Sequence, residues 1–394
     1  MMNIPMPFAS RLDNLNPEGA YAVMAQANAL EAEGRKIIHL EIGQPDCETF
    51  PHISQEGINA IQSGYTRYNP PAGLPQLREV IADHAGAQRN MQIDPSQVVV
   101  GPGAKPGLFF PTLALIEPGD EVIYPDPGFP TYPAMIEVAG GIPVPVPLRE
   151  ENNFSFDLQV FDDLINERTR LIILNSPANP TGGIVPLPDL EHIARIALER
   201  QIWIISDEIY SRLIYDAESV SSIAALPGMA DQTVIVDGFS KTYAMTGWRL
   251  GYGIMPADLA ERVELLLTHS IGCTATFTQI AGIHALTSNH EMVTSMVAEF
   301  QQRRNLLVQG LNDIPGVSCQ VPQGAFYVFP KVSPLNIPVR QLARRLLDEA
   351  GVAVLPGTDF GEFGEGYLRL CYATSPDELN LAIEWMTTFF TEKV

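Results

Sequence analysis

Through the middle of this chain, short runs that are apolar at nearly every residue alternate with longer stretches that are apolar on one face only. Leu171–Asn175 and Ile202–Ser206, built around Leu-Ile-Ile-Leu and Ile-Trp-Ile-Ile, have no polar face to offer water. Strands of that kind belong in a parallel sheet covered on both sides. Val98–Gly101, Glu121–Tyr124 and Thr233–Asp237 read as further strands, and Leu74–Gln88, Leu108–Ile116, Leu187–Arg200 and Leu259–His269 as helices between them. The expected fold class is α/β, with a central, mostly parallel sheet covered by helices.

The last hundred residues read differently. A helical stretch from Asn289 to Leu311 is broken by Pro315-Gly316, and strand-like pieces follow at Ala325–Phe329, Val352–Leu355 and Tyr367–Cys371. Helices lie between and after them, which is an α+β arrangement. A strand at Ile37–Ile42 is expected to pack with this part. The expected division is a large domain over 47–290 and a smaller α+β domain built from 1–46 and 291–394. A chain of 394 residues gives both ample cores. The proline cluster Pro143-Val144-Pro145-Val146-Pro147 reads as an edge or loop segment.

Composition narrows the function. A net charge of -22 argues against nucleic acid and against anionic membranes, both of which need a basic surface. No window holds the ~20 uninterrupted apolar residues of a membrane helix. Met1–Arg11 lacks a basic region followed by an apolar stretch, so a cytoplasmic location is expected. Cys47, Cys273, Cys319 and Cys371 are far apart and form no Cys-x-x-Cys pair, which points to free thiols. His39, His84 and His192 show no metal-ligand spacing, so no metal is expected.

Ligands of α/β sheets bind at the carboxyl ends of strands, and four polar or glycine-rich segments fall there. Gly101-Pro102-Gly103-Ala104-Lys105-Pro106-Gly107 follows the strand ending in Val100 and precedes an apolar helix. Such a turn presents free N–H groups to an anion, although it matches neither the P-loop nor the dinucleotide fingerprint. Asn179-Pro180-Thr181-Gly182 follows Leu171–Leu174; it is either a plain tight turn or a place where the Asn179 amide meets a ligand. Asp207 ends a wholly apolar strand, so it is either a helix N-cap or a desolvated carboxylate that needs a cation or a protonated nitrogen. Ser240-Lys241 follows Thr233–Asp237, with Arg249 close behind. A lysine between a buried strand and a small, aromatic, poorly charged segment suits an imine-forming nucleophile.

In their order these segments resemble the fold-type I pyridoxal-phosphate aminotransferases of class I/II, the group that includes bacterial-type aspartate aminotransferases. Further matches are Gly43-Gln44-Pro45-Asp46, Tyr68 with Pro71-Ala72-Gly73, Pro118-Gly119-Asp120, Pro322-x-Gly324-Ala325-Phe326-Tyr327 and Leu368-Arg369-Leu370. The resemblance implies pyridoxal 5'-phosphate held by Lys241 as a Schiff base, with Lys241 also moving the substrate's α-proton. It implies that Asp207 pairs with the pyridine nitrogen, and that Tyr210 and Asn179 bond the ring's 3-oxygen. By the same resemblance the backbone of Gly103, Ala104 and Lys105, with Ser240 and Arg249, is expected to hold the phosphate. Phe129 falls where the family stacks an aromatic on the ring. Arg369 matches the family's arginine for the substrate carboxylate, which the backbone of Gly43 and Asn179 are implied to approach as well. Tyr68 matches a tyrosine that reaches the phosphate of the other subunit, which implies a homodimer.

The implied reaction is ping-pong transfer of an amino group from an L-amino acid to a 2-oxo acid such as 2-oxoglutarate. The helix face Leu108–Leu113 offers no cation for a distal carboxylate, so a neutral or apolar donor is expected. Two other readings stay open. One is a lyase, decarboxylase or synthase on the same cofactor. The other is a non-catalytic regulator that keeps the cofactor, which the acidic charge and the lack of a helix-turn-helix segment disfavour.

Overall fold

The computed structural model describes residues 9, 12, 15, 17–216, 220–332 and 335–393. The leader reading of Met1–Arg11 therefore lies, apart from Ala9, outside the described residues. In chain order the strands are β1 (Ile38–His39), β2 (Val98–Gly101), β3 (Glu121–Asp126), β4 (Ile142–Pro147), β5 (Thr169–Asn175) and β6 (Trp203–Asp207). They continue with β7 (Thr233–Gly238), β8 (Gly251–Ile254), β9 (Tyr327–Val328), β10 (Val352–Ala353), β11 (Leu355–Pro356) and β12 (Leu368–Cys371). The helices that matter below are α1 (Gly19–Ala32), α2 (Pro51–Gln62), α3 (Pro75–Arg89), α4 (Lys105–Leu115), α5 (Thr131–Ala139), α6 (Leu187–Arg200), α7 (Ala257–Ser270) and α8 (Glu291–Asn312).

Seven strands form the central sheet in the order β2-β8-β7-β6-β5-β3-β4, and only β8 runs against the others. Its two faces feed two separate cores, as the doubly apolar runs require. Leu171 and Ile173 pack with α4, α5 and α7, while Ile172 and Leu174 pack with α6 on the opposite side. Each such side chain taken from water contributes about 1.5–3 kcal/mol, which fixes the strand register.

Differences from the sequence reading have local causes. The reading missed β8, because Gly-Tyr-Gly-Ile carries two glycines and has little strand propensity of its own. The proline cluster is the edge strand β4, where every other N–H has no strand to meet. Helix α4 begins at Lys105 rather than Leu108, so Lys105 opens the helix instead of ending the turn. Val352–Leu355 is two strands in two sheets: β10 pairs with β1, and β11 with β12. Helices α1 and α2 also escaped the reading; α1 is apolar almost all round and has no marked face.

The parallel pair β1–β10 ties the segment before residue 46 to the C-terminal part, and the second small sheet has the order β11-β12-β9. No helix among the described residues is long and apolar enough to cross a membrane. No group of His, Cys, Asp or Glu among them could hold a metal ion.

Candidate active site

Strands β2, β5, β6 and β7 end on one edge of the sheet, and a cavity of about 620 Å³ opens there. Its wall contains Gly43, Ala104, Lys105, Phe129, Asn179, Asp207, Tyr210, Ser240, Lys241, Arg249 and Arg369. Residues from both ends of the chain and from its middle thus face one space.

The turn after β2 spans only Pro102, Gly103 and Ala104 before α4 begins. Gly103 has φ +85°, and a Cβ there would run into the Arg249 guanidinium. A Cβ on Gly251 would stand 2.5 Å from the Ala104 nitrogen. Only glycine lets these backbones approach so closely. Arg249 is braced by its own loop and by the turn after β2, with Nη1 donating to the Thr246 carbonyl at 3.0 Å and Nη2 to that of Pro102 at 3.4 Å. A guanidinium beside the free N–H groups of a helix start makes an anion cradle.

Lys241 leaves the end of β7 and donates to the Gly43 carbonyl at 2.6 Å. Burial lowers its pKa to about 8, with the cations Arg369 and Arg249 adding to the effect. Asp207, the last residue of β6, accepts from the Tyr132 hydroxyl at 2.8 Å and from the Ile209 N–H at 3.3 Å. No helix begins at Asp207, so it is not an N-cap. Burial raises its pKa to about 6, and the Tyr132 bond opposes that rise. The Asn175 side chain joins the neighbouring strand ends, donating to the Asp207 carbonyl at 3.0 Å and accepting from the Asn179 N–H at 2.8 Å. The Asn179 Oδ1 is buried with no partner among the described residues.

Also lining the cavity, the Tyr210 and Tyr327 hydroxyls lie 2.8 Å apart, and burial pushes both pKa values up. Arg369, on β12, donates to the Glu41 carbonyl, with its guanidinium 4.5 Å from the Tyr327 ring and 5.1 Å from that of Phe360. Its buried Nε bonds nothing among the described residues.

Tyr132 and the start of α1 escaped the sequence reading, while Asn175 and Tyr327 fell within segments it singled out, without a role. Tyr132 was reachable, since it stands one helical turn beyond Phe129 and packs edge-on against it at 5.7 Å. The start of α1 was not, because nothing local marks Glu18–Met24 as facing a cavity. There Glu18 pairs with Lys105 at 2.8 Å, and the Lys105 ammonium lies 5.2 Å from the Phe129 ring. Tyr68, by contrast, is 98% exposed and does not line the cavity of its own chain.

Residues 35–385 match the family model for aminotransferase class I and II. The chain belongs to that family. This aminotransferase is 38% identical to an aspartate aminotransferase of Pyrococcus abyssi, over 98% of this chain and 99% of the relative. It is 35% identical to aromatic-amino-acid aminotransferase 2 of Thermococcus litoralis, again over 98% and 99%. Among solved structures, the aspartate aminotransferase of Rhizobium meliloti superposes with a TM-score of 0.93 at 32% identity, covering 98% of each chain. The aminotransferase is a pyridoxal-phosphate enzyme that acts on small amino-acid and keto-acid substrates. The relatives' names span acidic and aromatic donors, so the family alone does not fix the side chain.

Proposed function

We propose that Lys241 carries pyridoxal phosphate as a Schiff base and serves as the base that moves the substrate's α-proton. What carries this reading is one juxtaposition: a lysine with a lowered pKa and a buried carboxylate face the same cavity, and a buried arginine faces them. When bound, the cofactor supplies an aldehyde for the amine and a ring that draws electrons from the α-carbon. Asp207 receives the pyridine nitrogen, which gives a buried carboxylate without an ion pair among the described residues a charged partner. Tyr210 and the orphaned Asn179 side chain face the 3-oxygen, and Phe129 packs on the ring. Gly103, Ala104 and Lys105, with Ser240 and Arg249, cradle the phosphate. Charge-assisted bonds of this kind contribute roughly 1.5–3 kcal/mol each.

Arg369, with an Nε still free to donate, takes the substrate α-carboxylate together with the Gly43 backbone and Asn179. The reaction is ping-pong, with a 2-oxo acid such as 2-oxoglutarate as acceptor. Tyr68 serves the partner's site in a homodimer; the exposed Ile58, Ile61 and Tyr65 near it in sequence suit such a contact. The same reading sets a large domain at 47–290 and a small one at 1–46 and 291–394, in a cytoplasmic enzyme.

For the donor, a neutral or apolar side chain remains the first reading. Met24, Leu108 and Leu355 line the cavity, and Glu18 neutralises its outer cation Lys105. A second reading has a specific support: Lys105 opens α4 within the cavity wall, and an acidic donor could take the place of Glu18 on it. The aspartate relatives favour this alternative.

The amino-donor half-reaction, followed as loss of the yellow pyridoxal form, tests both. Conversion by an amino acid alone, reversed by a keto acid and abolished in Lys241→Ala, is the expected result; near-normal turnover in Lys241→Ala overturns the role of Lys241. For the side chain, apolar donors should survive Lys105→Ala. If aspartate is the best donor and that variant loses it selectively, the second reading replaces the first.

A further inference from the structure

Arg89 sits in the last turn of α3, where a cation is favoured by the helix's own terminal carbonyls. Its side chain is 4% exposed and does not line the cavity. Its Nε donates to Glu208 Oε2 at 2.8 Å, and its Nη2 donates to Asp237 Oδ2 at 3.1 Å. Glu208 directly follows Asp207. Asp237 lies in β7, in the run Asp237-Gly238-Phe239-Ser240-Lys241. One guanidinium thus grips both strand ends that bear the reactive groups.

The two carboxylates are fixed on their other sides as well. Glu208 Oε1 accepts from the Ser206 and Ser222 hydroxyls at 2.8 and 2.6 Å. Asp237 Oδ1 accepts from the Gly238 N–H at 2.7 Å. Successive side chains of an extended segment point to opposite faces, so anchoring Glu208 behind the sheet also sets where Asp207 points in front of it. Stability alone gives a weak reason for this cluster, because apolar residues of equal volume often stabilise as well or better. A planar fork that bonds two strands at once supplies something else, namely a fixed distance and angle between them.

We propose that Arg89 is a positioning residue of the aminotransferase: by bonding Glu208 and Asp237 together, it holds Asp207 in register with Lys241. The inference rests on the roles proposed above for those two residues. Displacements near 1 Å at a reacting centre can cost on the order of a hundredfold in rate, so such a brace acts on kcat rather than on substrate affinity.

The test is Arg89→Lys in the cofactor-loaded enzyme, because lysine keeps the charge and loses the fork. The expected result is a folded protein whose kcat falls roughly ten- to a hundredfold while the donor KM stays within about twofold. The pH midpoint of its visible absorption should also move from the wild-type value, since that band reports the imine proton, whose pKa depends on how the carboxylate meets the ring nitrogen. A folded Arg89→Lys with wild-type kcat and midpoint, or one that changes KM alone, overturns the proposal. If Arg89→Lys does not fold, Ser222→Ala decides, because it removes one outer bond of Glu208. A several-fold drop in kcat with a moved midpoint supports the brace, and wild-type behaviour overturns it. Lys241→Ala and Asp207→Asn are run alongside; full activity in either sinks the underlying role assignment, whatever Arg89 does.

Discussion

The Lys241 amine and the Gly43 carbonyl lie 2.6 Å apart although 198 residues separate them in sequence. The bond brings the β7 end to the segment just after β1, and it holds the amine where burial lowers its pKa to about 8. Uptake of pyridoxal phosphate by the apoprotein needs the neutral amine. Borohydride trapping at Lys241, quantified by peptide mass, should therefore rise with pH around a midpoint near 8. A midpoint near 10.5, the ordinary lysine value, would show an amine that burial does not perturb.

Asp207 should cost the apoprotein stability. Its folded pKa of about 6 lies above the ordinary 3.8. Between those values the folded state binds more protons than the unfolded one, so stability falls as pH rises through this window, and the cost is complete above pH 6. A two-unit gap corresponds to about 3 kcal/mol. Asp207→Asn should thus melt several degrees higher than wild type at pH 7.5 and gain little at pH 4, while transamination drops by roughly two orders of magnitude or more. Unfolding scans at both pH values check this; equal gains at the two would rule out the charge as the cause.

Removing the Tyr132 hydroxyl takes away the bond that opposes the upward shift of Asp207. In Tyr132→Phe the acid limb of the activity profile should move to higher pH, with kcat down about tenfold, a typical loss for one charge-assisted bond. The profile of kcat against pH is the measurement, and an unmoved acid limb would contradict it.

Gly103→Ala places a methyl group against the Arg249 guanidinium at a φ of +85° that other residues rarely adopt. The cofactor dissociation constant should rise at least about tenfold, equivalent to about 1.4 kcal/mol. Spectroscopic titration of the apoprotein reads it directly, and unchanged affinity would place the phosphate elsewhere.

The position of Tyr68 yields a mixing experiment. If it serves the partner's site, Tyr68→Ala and Lys241→Ala are each nearly inactive, yet subunit exchange between them produces hybrids with one intact site. Random pairing predicts recovery of about a quarter of wild-type activity. No recovery after demonstrated exchange would confine Tyr68 to its own chain.

Much of this was legible in the chain itself. The doubly apolar runs announced β5 and β6, because a parallel strand buried on two faces can carry no polar residue until it leaves the sheet. For the same reason the polar residues that close those runs, Asn175 after Leu174 and Ser206-Asp207 after Ile205, mark where the cavity opens. Strand β8 was illegible because its two glycines face the turn at Gly103 and the first turn of α4 at Gly107, a close approach set by elements far away in the chain.

The sequence by itself determined the layered α/β fold, the order of the strand-end segments and the place of Lys241 among them, since hydrophobic period and residue chemistry are local properties. Only the tertiary structure decided that Glu18 neutralises Lys105, that Tyr132 bonds Asp207, and that Arg89 joins Glu208 to Asp237. Those relations depend on distances between elements far apart in the chain. Such distances come from packing the two cores against the sheet, which no short window of residues encodes.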